Sequence, residues 1–308
     1  MNILHLTSDD LGGVPQMLSD ALSVYTQNSS ILLQFSGKAE NPDSARAIHL
    51  SQNNADAAML AQLVDWSDVI HVHNFIPSFV LAVLAQTDLS QKKTIYQIHS
   101  AKYQPPIFGD LSAEMGIPFD HRLVTCQPYA RQYPDFQIVP VCLEQPALSI
   151  GMFRSAKKHV RVISAQCSHP MLDAIGSEAH IEVMTLPDIS RQNALMLRRQ
   201  ADITLDDGPP GQTDLAKYEG LACGNAVVTT VDDLTMMMFK TAFQAHEPPP
   251  FFRATAPQLM ELVADRSELD QLKKRSQEYF NDVMAAPRVV RIFDDIYTEE
   301  IQDLAWTG

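Results

Sequence analysis

The sequence predicts an α/β protein built of two Rossmann-like domains, each a parallel sheet wound with helices. Three observations predict it. Short β-rich runs alternate with helical patterns along nearly the whole chain, as parallel strands joined by crossover helices require. The alternation is broken once, between Leu143 and Lys158, where Pro146 and Gly151 fall in a stretch without periodicity. The chain has 308 residues, and a length of this order suits two cores of about 150 residues each.

In order, Ile3 to Thr7 reads as the first strand and Val14 to about Tyr25 as a helix, with Met17, Leu18, Ala21 and Leu22 at helical spacing. Ile31 to Phe35 and Ala47 to Leu50 are short strands, and Ala55 to Val64 is a helix. Asp68 to Asn74 is a buried strand with polar residues near its end. A helix over Ser78 to Ala85 and the strands Thr94 to His99, Leu123 to Cys126 and Gln137 to Pro140 complete the first half. The second alternation runs through His159 to Ser164, Ile181 to Met184, Ile203 to Asp206 and Ala226 to Thr230. Ser267 to Asp270 has the form of a capping box opening a helix to about Met284. Pro287 stops that helix, and a last one carries Val289, Val290, Ile292, Phe293, Ile296 and Tyr297. The expected division is residues 1–146, residues 147–286, and a terminal helix over residues 287–308.

Composition removes several function classes. No apolar stretch reaches the roughly 20 residues of a spanning helix, and the N-terminus enters a strand without a basic leader, so a cytoplasmic location is expected. The formal net charge of −14 repels phosphate backbones and anionic membranes, which disfavours a nucleic-acid acceptor. Cys126, Cys142, Cys167 and Cys223 are widely spread and show no metal-ligand spacing, so buried thiols and no metal site are expected. Neither G-x-G-x-x-G nor G-x-x-x-x-G-K-S/T occurs, which argues against nicotinamide and P-loop nucleotides.

Candidate ligand contacts sit where strands end. Ligands of open α/β sheets bind at the carboxyl ends of the strands, and Asp9, His73, Asn74 and His99 all fall there. Gly12 and Gly13 let the chain bend after the first strand and approach a ligand closely. His71 is assigned to the core, on the opposite side of the sheet from His73. The richest segment is Ala201 to Val228, which reads as strand, glycine/proline loop, helix, glycine cap and strand. A nucleoside diphosphate suits it: the loop offers backbone donors to phosphate, and Glu219 can accept ribose hydroxyl hydrogens.

Glu219-Gly220-Leu221-Ala222-Cys223-Gly224-Asn225-Ala226-Val227-Val228 resembles the E-A-M-A-C-G-x-P-V-V signature of retaining family-4 glycosyltransferases of the GT-B fold. Ile3 to Leu22 resembles their opening strand and helix, Asp68 to Asn74 their D-V-I-H-x-H strand, and Ile98-His99-Ser100 the strand whose histidine contacts the donor sugar. The resemblance implies two Rossmann-like domains facing each other across a cleft, with the C-terminal helix crossing back to the first. It departs in two places. Gly211 stands where the first glutamate of E-x7-E belongs, and Ser164 to His169 lacks the Arg and Lys that neutralise the diphosphate. Lys217, Arg191 and Arg198 are the cations available to substitute, each expected first as a solvated helix residue.

The implied activity is transfer of a sugar from a nucleoside diphosphate sugar, such as a UDP-sugar, to an unidentified acceptor, with retention and without metal or other cofactor. Glu219 would hold the ribose. Gly211, Gln212, Thr213, Gly12 and Gly13 would cradle the diphosphate, and Leu186 and Pro187 would border the base. His99 would orient the sugar, and Asp9 or Asp10 would contact the acceptor. The alternatives are a binding or scaffold protein of the same fold that has lost catalysis, or a sugar-nucleotide epimerase.

Overall fold

The computed structural model describes residues 1–8, 11–35, 47–50, 54–99, 111–143, 159–164, 170–176, 178, 180–186, 191–206 and 215–298. The chain forms two units, one of Met1–Cys142 with Ala286–Gly308 and the other of Leu143–Ala285.

The first unit holds seven parallel strands: β1 (Asn2–Thr7), β2 (Ser29–Gln34), β3 (Ala47–His49), β4 (Val69–His73), β5 (Lys93–Ile98), β6 (His121–Thr125) and β7 (Gln137–Val139). Their order is β3-β2-β1-β4-β5-β6-β7, so the winding reverses between β1 and β4. In a doubly wound sheet this is the crevice where ligands bind. Between the strands lie α1 (Val14–Tyr25), α2 (Asn54–Trp66), α3 (Ser78–Gln86) and α4 (Leu111–Met115).

The two faces of this sheet differ chemically. Side chains alternate between faces with period two, and one face carries Leu4, Leu6, Ile70, Val72, Tyr96, Ile98 and Val124, all buried. The other carries His5, His71, His73, Gln97 and Thr125, equally buried. Register sets His5 beside His71 and His73 beside Gln97. His71 and His73 are two residues apart in one strand and therefore share a face, with ring centroids 4.1 Å apart. The expectation that they point to opposite sides is thus overturned by strand periodicity itself.

The second unit holds β8 (Val160–Ser164), β9 (Ile181–Thr185), β10 (Ile203–Asp206), β11 (Ala226–Thr229) and β12 (Phe252–Arg253), all parallel. The order β12-β11-β10-β8-β9 reverses between β8 and β10. Its helices include α5 (Pro170–Ile175), α6 (Arg191–Arg198), α7 (Ala216–Ala222), α8 (Asp233–Ala242), α9 (Ala256–Ala264) and α10 (Arg266–Tyr279). The core gathers Val160, Val162, Ile203, Leu205, Val228, Leu259, Leu262 and Leu272.

Helix ends correct two sequence expectations. The cap of α10 is Asp265, whose carboxylate accepts from the Glu268 amide at 3.0 Å, rather than Ser267. The capping box lies one helix earlier, where Gln258 reaches back to the Thr255 amide at 2.9 Å. Beyond α10 a π turn (Phe280–Met284) leads to α11 (Ala286–Thr298), which belongs to the first unit. Pro287 falls in the first turn of α11, where its missing N–H costs no helical bond. One stripe of α11 buries Val289, Val290, Phe293, Ile296 and Tyr297, and Asp294 accepts from Asn28 at 2.6 Å.

Candidate functional site

Between β1 and α1 the chain makes a single 3-10 turn over Leu11–Gly13. All three residues have positive φ: 50° at Leu11, 68° at Gly12 and 75° at Gly13. Glycine occupies this left-handed region without the clash that a Cβ makes, so the two glycines are what lets β1 enter α1 this tightly. Gly13 caps α1, and a Cβ there would meet nothing within 4 Å, so space is open on its outer side.

At the end of β4, Asn74 also has positive φ, 53°. It is held on both sides: its amide donates to Gln97 O at 2.8 Å, and its Oδ1 accepts from the His99 amide at 2.6 Å. Asn74 and His99 thus stitch the ends of β4 and β5 together. The exposed Phe75 follows, its carbonyl accepting from the Ser8 amide at 3.1 Å across the reversal between β1 and β4.

Below this rim runs a chain of imidazoles. His99 Nδ1 lies 3.0 Å from Thr125 Oγ1, His99 Nε2 lies 2.7 Å from His73 Nδ1, and His73 Nε2 lies 2.8 Å from His5 Nδ1. Gln97 Nε2 donates to Thr125 Oγ1 at 3.1 Å, and His71 Nδ1 meets the Tyr297 hydroxyl of α11 at 2.8 Å. A neutral imidazole donates with one nitrogen and accepts with the other, so the three linked rings must share one polarity. The chain stops at His5 Nε2, which is buried without a hydrogen-bond partner.

Burial holds all four histidines neutral. His5 and His99 are pushed down to about 3 by loss of hydration. His71 and His73 also lie well below the usual imidazole value, by burial first and by their histidine neighbours second. His99, predicted to face a sugar, is fully buried, and both its ring nitrogens already have partners in the sheet.

Sequence reasoning missed this assembly. The sequence gives His5 no expected role and assigns His71 to the core. One ring nitrogen from each of His5, His71 and His73 lies within 4.8 Å of the others, a group capable of holding a metal ion. The legible signal was a histidine in the first strand together with H-x-H in a strand beside it.

In the second unit the candidate residue is Glu219, on α7. Its Oε1 is 3.0 Å from Arg191 Nε and its Oε2 is 3.0 Å from Arg198 Nε. Arg191 and Arg198 are the first and last residues of α6, seven apart, which places them on one stripe of that helix. Side-chain exposure is 6% for Glu219, 4% for Arg198 and 32% for Arg191. Lys217 is buried as well. The expectation that these cations are solvated helix residues is therefore overturned for Arg198 and Lys217, because α7 packs on β10 and β11 and α6 packs on α7.

That close packing has a local cause. A Cβ on Gly220 would come within 2.8 Å of Val227 Cγ2 and 3.0 Å of Thr204 Cβ, so glycine sets the distance of α7 from the sheet. Gly224 ends the helix at φ 70°, and the Asn225 amide returns to Gly220 O at 3.0 Å. Asn225 Nδ2 then donates to Arg198 O and Thr204 Oγ1, both at 2.9 Å, anchoring the end of α6. Burial is the main cause that pushes the Cys223 thiol up to about 12, and the Glu219 carboxylate adds to it against the opposing pull of Arg198, Arg199 and Arg191.

Leu186 follows β9 directly, its amide donating to Ser164 O at 2.9 Å, so it stands at the end of the β8–β9 pair. Asp9, Asp10, Pro187, Gly211, Gln212 and Thr213 lie outside the described residues, as do the side chain of Asp206 and all of Asp207. Of the predicted residues, Gly12 and Gly13 follow β1 at the reversal of the first sheet, and His99 follows β5 one strand away, joined through Asn74 to the end of β4. Leu186 follows β9, and Glu219 lies on α7, which packs on β10 and β11.

Residues 2–138 match the starch synthase catalytic domain family. No curated protein sequence matches significantly. Among solved structures, a glycosyltransferase from Rickettsia africae ESF-5 superposes with TM-score 0.62 at 11% identity, over 97% of this chain and 98% of that one. The sucrose-phosphate synthase of Thermosynechococcus elongatus gives 0.61 at 12%, over 97% and 99%. The Anabaena HepE protein, solved in complex with UDP-glucose, gives 0.60 at 12%, over 97% and 100%. Two Rossmann-like parallel sheets with these neighbours show that the chain has the GT-B fold of glycosyltransferases, with a first half similar to the starch synthase catalytic domain.

Proposed function

We propose that this protein moves a sugar from a nucleoside diphosphate sugar to an acceptor, with retention and without a catalytic metal. The observation that carries the reading is Glu219, a buried carboxylate on α7, the helix that packs on β10 and β11. It occupies the place of the ribose-binding glutamate in the family that the Glu219 to Val228 segment resembles. Each of its oxygens spends one lone pair on an arginine, and a carboxylate has about four such acceptor sites. Capacity for ribose hydroxyls therefore remains.

In this reading the second unit binds the nucleotide through Glu219, Leu186, Pro187 and the loop of Gly211, Gln212 and Thr213. The first unit serves the acceptor side through Asp9 and Asp10, while Gly12 and Gly13 contact the diphosphate. With no covalent glycosyl-enzyme in this scheme, the residues act by position and by stabilising charge on the departing diphosphate. His99 enters as a member of a fixed chain: contact between its ring and a sugar requires one of its two bonds, to His73 or to Thr125, to be exchanged for the substrate.

A second reading is a nucleotide-binding protein that has lost transfer. Gly211 at the position of the first glutamate favours it. Calorimetric titration with UDP, GDP, ADP and CDP sugars, followed by product analysis, separates the readings. Transfer to an acceptor is expected, binding without turnover selects the second reading, and a new sugar nucleotide formed from donor alone selects epimerisation. Absence of binding by every nucleotide would overturn the proposal.

A further inference from the structure

Three imidazoles from two neighbouring strands converge inside the first unit. Register places His5 of β1 opposite His71 of β4, and the spacing of two keeps His73 on the same face. One ring nitrogen of each lies within 4.8 Å of the others, and all three side chains are fully buried. The cysteine spacing that argued against a metal site does not bear on ligands paired across strands.

Hydrogen bonding leaves this group incomplete. His71 Nδ1 meets the Tyr297 hydroxyl at 2.8 Å, while its Nε2 is buried without a hydrogen-bond partner. With Nδ1–H donating to Tyr297, that Nε2 presents a bare lone pair. Gln97 Oε1, an acceptor on the adjoining strand and the same face, is likewise buried without a partner. A buried polar atom with no partner is costly, and lone pairs gathered in one place are what a cation satisfies. His5 Nδ1 and His73 Nε2 face each other at 2.8 Å, with one proton between two nitrogens that can each bind a metal.

The outer partners fit as well. A histidine that ligates a metal passes its second N–H to another group, which fixes the ring and its tautomer. His71 has Tyr297 for this, and His73 Nδ1 has His99 Nε2 at 2.7 Å, itself bonded to Thr125.

We infer that His5 Nδ1, His71 Nε2 and His73 Nε2 form a structural zinc site, with Gln97 Oε1 as the fourth donor. Imidazoles without carboxylates suit zinc and its first-row neighbours rather than calcium or magnesium, and three of them hold zinc in known sites. Donors of a tetrahedral zinc lie about 3.4 Å apart, so binding draws His71 inward and parts His5 from His73, with register unchanged. No proton leaves the cluster. When the chain of rings donates from His5 toward Thr125, His73 Nε2 already carries a lone pair, and His5 moves its proton from Nδ1 to Nε2. Four protein donors leave no position for a substrate. The ion pins β1 to β4 and, through Tyr297, to α11, and it takes no part in the transfer proposed above.

The test uses the full chain, produced without a histidine tag in medium containing zinc. Metal content after gel filtration is read by plasma mass spectrometry, affinity by competition with a chelator, and stability by thermal unfolding. Wild type should hold one zinc, and the chelator should lower its unfolding midpoint. His5→Gln and His71→Gln should lose the zinc, whereas His246→Gln, on the surface, should keep it. Tyr297→Phe, which retains every ligand, should weaken zinc binding about tenfold, and it decides the matter where the histidine variants do not fold. Zinc absent from wild type overturns the site. So does zinc kept undiminished by His5→Gln and His71→Gln or, where these do not fold, by Tyr297→Phe. Either result leaves the sugar-transfer reading standing.

Discussion

The two sheets bury polar groups by opposite means. In the first, four histidines stay uncharged: His5, His73 and His99 link in a chain that reaches Thr125, and His71 beside them meets the Tyr297 hydroxyl. In the second, Glu219, Arg191 and Arg198 keep their charges and cancel them in part, as do Asp202 and Lys273 at 2.7 Å. A neutral hydrogen-bonded chain is inexpensive to bury but fails once a proton is added. A charged cluster fails once one partner is removed. The comparison teaches that the domains should break under different perturbations.

Acidification should produce the largest effect, and in the first unit. Each of the four histidines has a folded pKa lowered below its unfolded value of 6.5. The unfolded chain therefore binds more protons below pH 6.5. The stabilisation is complete above that value and is lost as pH falls from 6.5 toward 3. Each histidine that stays neutral contributes a slope of about 1.4 kcal/mol per pH unit. Urea unfolding between pH 7.5 and 5 should show steep destabilisation, and His73→Asn should flatten it. A pH-independent midpoint would contradict the neutral chain.

Removal of a charge should act next, and in the second unit. Arg198→Met should cost about 3 kcal/mol, since it breaks a buried pair. Arg191→Met should cost about 1 kcal/mol, because solvent screens the more exposed partner. Chemical denaturation at pH 7 measures both. Equal losses would mean that burial does not set the strength of the two pairs.

A third perturbation separates packing from charge. Gly220→Ala forces a methyl group against Val227 and Thr204 and should cost about 1–3 kcal/mol by overpacking. The added strain pushes α7 from the sheet and shifts Glu219 relative to the arginines. Nucleotide affinity should therefore fall further than stability, a difference that titration alongside denaturation resolves. Unchanged affinity would show that the cluster tolerates movement of α7.

Much of the fold was legible because parallel strands and their crossover helices write themselves locally. The runs Ile3 to Thr7, Asp68 to Asn74 and Ile203 to Asp206 match strands to within a residue or two. The capping box at Ser267 was misread because the same kind of polar residue, Asp265, stands two positions earlier, and only geometry shows whose oxygen reaches the helix. The glycine turn of Gly12 and Gly13 and the helix that carries Glu219 were legible, because each belongs to the local strand-to-helix alternation. The burial of Arg198 and the meeting of both arginines with Glu219 were not legible, because Arg191 and Arg198 read as solvated polar residues of an amphipathic helix.

By itself the sequence determined the alternation of strands and helices, the glycine turns at the strand ends and the helix that carries Glu219. These depend on residues close together in the chain. Only the tertiary structure decided that His5 of β1, His73 of β4 and His99 after β5 lie in one line, and that α6 turns its arginines toward α7. Such partners are separated by 68, 26 and 21 to 28 residues. Their meeting follows from strand register and helix packing, which no local pattern encodes.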